Sequence, residues 1–180
     1  MAITYKLIAS TTLSSASQPV TFSSIPSTYT HLMLWGFSQE NASSVNGSNI
    51  MLRFNSDATS SAYSNQYQII DGTSAPSTSF TQFTYMRLYN STCGNLTSAD
   101  SYGGFTAIIP NYTSTLRKIV YAHGHGTGNT NITMKGAINS GNSTVGATSS
   151  ALTRIDIYNG NLLNFAIGST FQLYGIGTTV

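Results

Sequence analysis

Apolar and polar residues alternate in short runs along most of the chain, and no window of a dozen residues sustains apolar positions at i, i+3, i+4 and i+7 without a Gly, an Asn or a Ser/Thr cluster breaking it. The pattern therefore predicts strands, at about 3–9, 19–25, 30–38, 48–55, 80–89, 103–110, 116–125, 130–138, 151–158 and 169–176, joined by Ser/Thr/Asn/Gly-rich connectors. Several connectors carry turn dipeptides, among them Asn46-Gly47, Asp71-Gly72 and Asn159-Gly160. The longest, about 56–79 and 139–150, are of a length that in a small domain is usually functional or mobile.

Two kinds of strand are distinguishable. Phe171 and Leu173 alternate with Thr170, Gln172 and Tyr174, and Ile155 and Ile157 with Arg154, Asp156 and Tyr158, as in strands buried on one side. The run from His31 to Phe37 is apolar at both parities, and so is the run from Tyr85 to Tyr89. These two are expected to lie between the opposite sheet and a further cover, either a long loop or a neighbouring subunit.

Many short strands without crossover helices exclude a parallel sheet. The expectation is a single domain over 1–180, an all-β, antiparallel, jelly-roll-like β-sandwich of about eight to ten strands. An immunoglobulin-like Greek key is the weaker alternative, because Cys93 is the only cysteine and Trp35 lacks the cysteine pair that frames it in such domains.

Composition narrows the function. The chain carries seven Lys or Arg and five Asp or Glu, against Ser, Thr and Asn at more than a third of all positions. The basic residues are scattered, Arg117-Lys118 being the one adjacent pair, so the clustered stripe that nucleic acid requires is missing and no nucleic-acid role is expected. No apolar run approaches the length of a membrane span, and the first ten residues read as a strand rather than a secretory signal. A lone cysteine allows no internal disulfide, which suits a reducing cytoplasm. The Asn-X-Ser/Thr triplets read as a product of composition.

Candidate chemistry must come from a short roster. His123 and His125, at i and i+2, would share one face of a strand and could begin a metal site, but no spacing brings His31 or a carboxylate to complete it. Asp57 with Asp71 or Asp100 could supply a glycosidase pair, yet Asp57 and Asp71 sit in turn-like sequence, and no Gly-X-Ser-X-Gly elbow is present. No catalytic residue, metal or cofactor is therefore expected. Tyrosine is abundant at eleven copies, and Tyr63, Tyr67, Tyr102 and Tyr112, read as loop residues, are candidate partner contacts together with His123 and His125.

Three segments carry a resemblance. They are Ala2 to Ser10 leading into Val20 to Pro26 and Thr28 to Leu32; Leu52-Arg-Phe-Asn-Ser-Asp57 with Tyr63, then Ile109 to Thr113 before Lys118; and Leu152 to Ile157, Asn164 to Ser169 and Thr170 to Ile176. In this order the chain resembles small virion proteins of tailed bacteriophages from marine and fresh water. The resemblance implies a β-sandwich displayed on the particle, usually oligomeric, serving as capsid cement or decoration or as a tail or fibre component. The expectation is a decoration protein, a homotrimer assembled in the host cytoplasm, that binds the major capsid protein or other virion proteins. The alternative is a tail-fibre or receptor-binding module for host-surface glycans.

Overall fold

The computed structural model describes residues 3–41, 48–59, 62–70, 77–88, 102–126, 135–143 and 150–178. Twelve strands lie among them: β1 (Ile3–Thr12), β2 (Val20–Phe22), β3 (His31–Ser38), β4 (Ile50–Phe54), β5 (Tyr63–Ile70), β6 (Ser77–Phe83), β7 (Met86–Leu88), β8 (Gly103–Pro110), β9 (Ile119–Gly126), β10 (Lys135–Ser143), β11 (Ile155–Asn159) and β12 (Thr170–Thr178). They form an eight-stranded sheet in the order β1-β12-β3-β8-β9-β10-β5-β6 and a four-stranded sheet in the order β2-β11-β4-β7. Every pairing is antiparallel. The all-β, two-layer architecture is the one the sequence predicts; the jelly-roll winding expected within it is not established by this strand order.

The number of strands exceeds the expectation because polar sequence hides some of them. β5 lies inside the stretch read as a connector over 56–79, and β10 runs into the one read over 139–150. The single run expected at 80–89 divides into β6 and β7, which belong to different sheets.

The core lies between the layers. Leu32 and Leu34 of β3, Ala107 and Ile109 of β8, Val120 of β9 and Phe171 and Leu173 of β12 face Ile50, Leu52 and Phe54 of β4 and Ile155 and Ile157 of β11, all fully buried. Each such side chain contributes about 1.5–3 kcal/mol on leaving water. Two glycines let rings reach the sheet. A Cβ on Gly36 would stand 2.1 Å from the Phe105 ring, its cross-strand neighbour, and one on Gly175 would stand 2.3 Å from the Tyr29 ring. At both positions an aromatic face takes the volume that a side chain would occupy.

A long loop, one of the two covers expected over the opposite face of β3, is not found among the described residues. The inward residues of β3 are buried, but Trp35 and Phe37 are 36% and 41% exposed, so no loop of the described chain closes over that face. On β7 the other side is covered from within: the Arg53 guanidinium lies 4.0 Å above the Tyr85 ring, which meets Tyr158 edge-on at 5.3 Å. Tyr89 lies outside the described residues.

Substituting Gly36→Ala should lower stability by about 1–3 kcal/mol, because the added methyl must displace Phe105 from the packed core. A urea unfolding midpoint equal to that of the parent chain would contradict this account of the inner face.

Candidate functional site

The groups able to do chemistry are mostly engaged in holding the fold. Asp156, on β11, accepts from Arg154 Nε at 2.9 Å and from Thr21 Oγ1 at 2.7 Å, and it pairs with the Arg154 Nη2 at 2.7 Å. Asp57 is buried and its Oδ1 accepts from the backbone N–H of Thr59 at 2.9 Å, the local turn expected of an Asp in this sequence. Glu40 is fully buried at the end of β3 and accepts from the side-chain amides of Asn159 at 3.0 Å and Asn161 at 3.2 Å. Asn159 in turn accepts from Ser48 Oγ at 3.1 Å and from the Asn161 N–H at 2.8 Å, so one amide–carboxylate cluster closes this end of the sandwich. Asp71, Asp100 and Cys93 lie outside the described residues. Among the described residues no three His, Cys, Asp or Glu side chains gather as a metal site would require.

The tyrosines expected at a contact surface divide into separate roles. Tyr63 is not a loop residue: it opens β5 and is fully buried, its hydroxyl accepting from the Phe54 N–H at 3.0 Å and donating to the Asp57 carbonyl at 3.1 Å. Tyr112 follows β8 in a turn but is likewise fully buried, donating to the Pro26 carbonyl and accepting from the Tyr29 N–H at 3.4 Å. Neither can touch a partner. Both rings fill the core while both hydroxyls satisfy loop backbone that would otherwise be buried unpaired. Tyr67 falls on β5 rather than in a loop, paired with Asn139, and its side chain lies outside the described residues. Burial pushes the Tyr63 hydroxyl up to about 12 and raises that of Tyr112 as well. Lys118 is buried too, its ammonium donating to the Ser114 and Leu116 carbonyls at 2.6 Å each, and burial lowers its pKa.

The outer face of the large sheet is accessible among the described residues. By strand parity and pairing it presents Ile3, Tyr5 and Leu7 of β1, Gln172 and Tyr174 of β12, Met33, Trp35 and Phe37 of β3, Thr106 and Ile108 of β8, and Tyr121, His123 and His125 of β9. None of these carries a formal charge. Eight of the large exposed apolar side chains (Ile3, Tyr5, Leu7, Trp35, Phe37, Ile108, Ile119 and Tyr121) are on this face, and Ile3 and Tyr5 are 70% and 61% exposed. Scattered exposed apolar residues are ordinary, whereas their concentration on one face marks a contact surface.

Tyr102, His123 and His125 belong to this face, as three of the expected contacts. Tyr102, just before β8, stacks on Phe37 with ring centroids 4.9 Å apart, and Phe37 runs parallel to Trp35 at 6.4 Å. Beside this row lies a depression of about 220 Å³ bordered by Trp35, Phe37, Gly104, Thr106, His123 and His125. His31, on the same face, accepts at Nδ1 from the Asn111 N–H at 3.0 Å. The sequence reading expected the run from His31 to Phe37 to meet a further cover but did not name Trp35 and Phe37 among the contact candidates, although their i, i+2 spacing beside buried Leu34 was the signal. No described helix is long and apolar enough to cross a membrane. Neither the protein-family models, nor the curated proteins, nor the solved structures contain a match to the chain.

Two outcomes follow from the buried groups. The Tyr63 hydroxyl keeps its proton more firmly in the folded state, where its pKa is about 12, than in the unfolded state near 10.0, so its contribution is intact below pH 10 and is lost as pH rises toward 12. The parent chain should lose about 2–3 kcal/mol from this group across that window. Tyr63→Phe should be less stable by about 1–3 kcal/mol at neutral pH, with a shallower alkaline decline, as read from urea unfolding at a series of pH values. Glu40→Ala leaves the buried Asn159 amide without its acceptor and takes one from exposed Asn161, and should cost about 1–3 kcal/mol, with Glu40→Gln recovering part of it. Thermal melts of the two variants check the order.

Proposed function

We propose that the chain is a structural protein of a bacteriophage particle, a capsid decoration protein that acts as a homotrimer and adheres to the head shell through the β1 end of its large sheet. One observation supports this reading above the others. β1 is a ten-residue edge strand whose partner on one side is β12, and it holds Ile3, Tyr5 and Leu7 outward at 70%, 61% and 48% exposure. Proteins that stay monomeric blunt such edges with charge, proline, a β-bulge or a covering element, and β1 has one register shift, between Leu7 and Ala9, beyond the outward Ile3, Tyr5 and Leu7. Here Lys6 is the one charged residue of the strand. Apolar side chains beside unpaired backbone N–H and C=O groups suit a protein partner, which can extend the sheet and bury the side chains together.

A specific contact needs about 800 Å² from each partner, and repetition over a lattice of identical subunits multiplies weak contacts into firm attachment. The resemblance to virion proteins of aquatic phages supplies the class of lattice. The major capsid protein is the partner it suggests, and assembly in the host cytoplasm the setting.

A second reading, a tail-fibre or receptor-binding module for host-surface glycans, draws support from the parallel rings of Trp35, Phe37 and Tyr102 beside His123 and His125. Copy number separates the two, since decoration requires hundreds of copies per particle and a tail module a few or a few dozen.

Shells lacking the protein should rupture at lower temperature or under milder osmotic shock, and adding the purified protein should restore them. Leu7→Lys combined with Ile3→Glu should fold with an unchanged circular dichroism spectrum yet bind shells at least about tenfold more weakly. Shells equally robust with and without the protein would overturn the reading.

A further inference from the structure

The depression between β3 and β9 has the construction of a small ligand site, and the part of the face it occupies is distinct from the docking edge. Two cross-strand rows build it. Phe37 pairs with Gly104, which pairs with His125; in the next outward row Trp35 pairs with Thr106, which pairs with His123. Each row therefore sets an aromatic ring on one strand and an imidazole two strands away, about 10 Å apart at the backbone. Gly104 forms the floor between them. A Cβ there would come within 3.1 Å of His125 Cε1 and 3.6 Å of its Nε2, so the missing side chain is what opens the slot and lets the imidazole lean over it.

The apolar wall is held in place. The Tyr102 hydroxyl donates to the Ile167 carbonyl at 3.0 Å, and its ring lies on Phe37. Gly168, at φ +87°, passes so close that a Cβ would meet the Tyr102 oxygen at 2.8 Å. Tyr102 and Phe37 are thus braced before any ligand arrives, which reduces the ordering that binding requires.

The chemistry of the slot selects its occupant. Flat apolar rings on one side and the Thr106 hydroxyl with two imidazoles on the other suit a molecule with one apolar face and several hydroxyls. No formally charged residue borders the depression, which disfavours nucleotides and other anions that need Lys or Arg. β8 and β9 are paired on both sides, so no backbone edge is free to take an extended peptide. At about 220 Å³ the space falls below the roughly 300–1,000 Å³ of sites for drug-sized ligands. It fits one ring.

We infer that this slot is a binding subsite for a single neutral sugar ring of a cell-surface glycan, packed against Trp35 and Phe37 and hydrogen-bonded by Thr106, His123 and His125. The inference deepens the glycan-binding reading and rests on it for its biological setting, but not on the docking of the β1 edge. A single-ring site binds weakly, and the affinity that matters is collected over the many copies on a particle.

The test is a titration of the 180-residue chain with the methyl glycosides of glucose, galactose, mannose and N-acetylglucosamine, followed by two-dimensional amide NMR and indole fluorescence. At least one should bind saturably at millimolar concentration, shifting the Gly104 and Thr106 amides and the Trp35 indole. Gly104→Val, which fills the floor, should weaken that binding at least about tenfold, and His123→Ala, at an exposed position that folding does not need, should weaken it about threefold or more. Leu7→Lys should leave it unchanged. No saturable shift with any of the four sugars, or equal binding by folded Gly104→Val, would overturn the inference, as would a response confined to Zn²⁺ and to the imidazoles. Loss of shell binding by Leu7→Lys with sugar binding retained would uphold the docking reading and the subsite separately; sugar binding without any shell binding would overturn the docking reading alone.

Discussion

Two layers of unequal width share one core, and that inequality governs the surface of this protein. Strands spaced about 4.8 Å apart make an eight-stranded sheet about 38 Å across and a four-stranded one about half that. The smaller sheet packs on the inner face of the larger, and no second layer of described strands is left for the outer face. In most two-layer folds charged side chains make such a face soluble. Here the outward positions of β3, β8, β9 and β12 carry aromatic, aliphatic, hydroxyl and imidazole groups instead. A wide uncharged sheet face is consequently the dominant surface feature among the described residues.

The scarcity of charge also explains how the loops are closed. Burying backbone without partners costs more than most hydrogen bonds return, so each loop end needs a donor or acceptor brought to it. Tyr63 and Tyr112 do this with hydroxyls carried on core rings. Asn55, at φ +50°, accepts from the Thr153 N–H at 2.9 Å and donates to the Ala151 carbonyl at 2.9 Å, tying the end of β4 to the irregular segment that leads into β11. Glu40 is given to two asparagine amides and Lys118 to two carbonyls. The ionisable groups that a catalytic reading would need are, among the described residues, largely committed to this bracing.

Alternation of side chains made the layer class and most strand positions legible, because period-two patterning survives wherever a strand has one buried face. It failed where both faces are polar in sequence. The Ser64-Asn65-Gln66 stretch of β5 reads as a connector, yet Asn65 is buried and its Oδ1 accepts from the Arg87 N–H at 2.9 Å, so a tertiary hydrogen bond replaces the apolar signal. The tyrosine roles were illegible for a related reason. Tyr63 and Tyr112 stand among Ser, Asn and Thr, which suggests loops and contact surfaces, but residue type alone does not reveal that the Tyr63 hydroxyl folds back onto Phe54 and Asp57 or that the Tyr112 hydroxyl meets Pro26 and Tyr29 far along the chain. The slot was hidden more deeply. Phe37, Gly104 and His125 are distant in sequence and become neighbours only through the β3-β8-β9 register. Its half-visible traces were the paired spacings Trp35 with Phe37 and His123 with His125, each at i and i+2.

The arrangement of the outer face bears on how one surface can both adhere and recognise. β1 and β8 are separated by β12 and β3, so the exposed edge and the floor of the slot stand about 14 Å apart across the sheet. That exceeds the Debye length at physiological salt and the reach of a direct side-chain contact, so filling one end need not perturb the other. Conformational coupling would require a second packing of the sheet, and the rings under Gly36 and Gly175 oppose one: moving β3 or β12 would lift Phe105 or Tyr29 out of contact with the backbone it covers. The two ends are instead linked by number. In the proposed attachment to a repeating shell, the lattice would fix the spacing of the slots, and that spacing would decide how many weak single-ring contacts a particle makes at once.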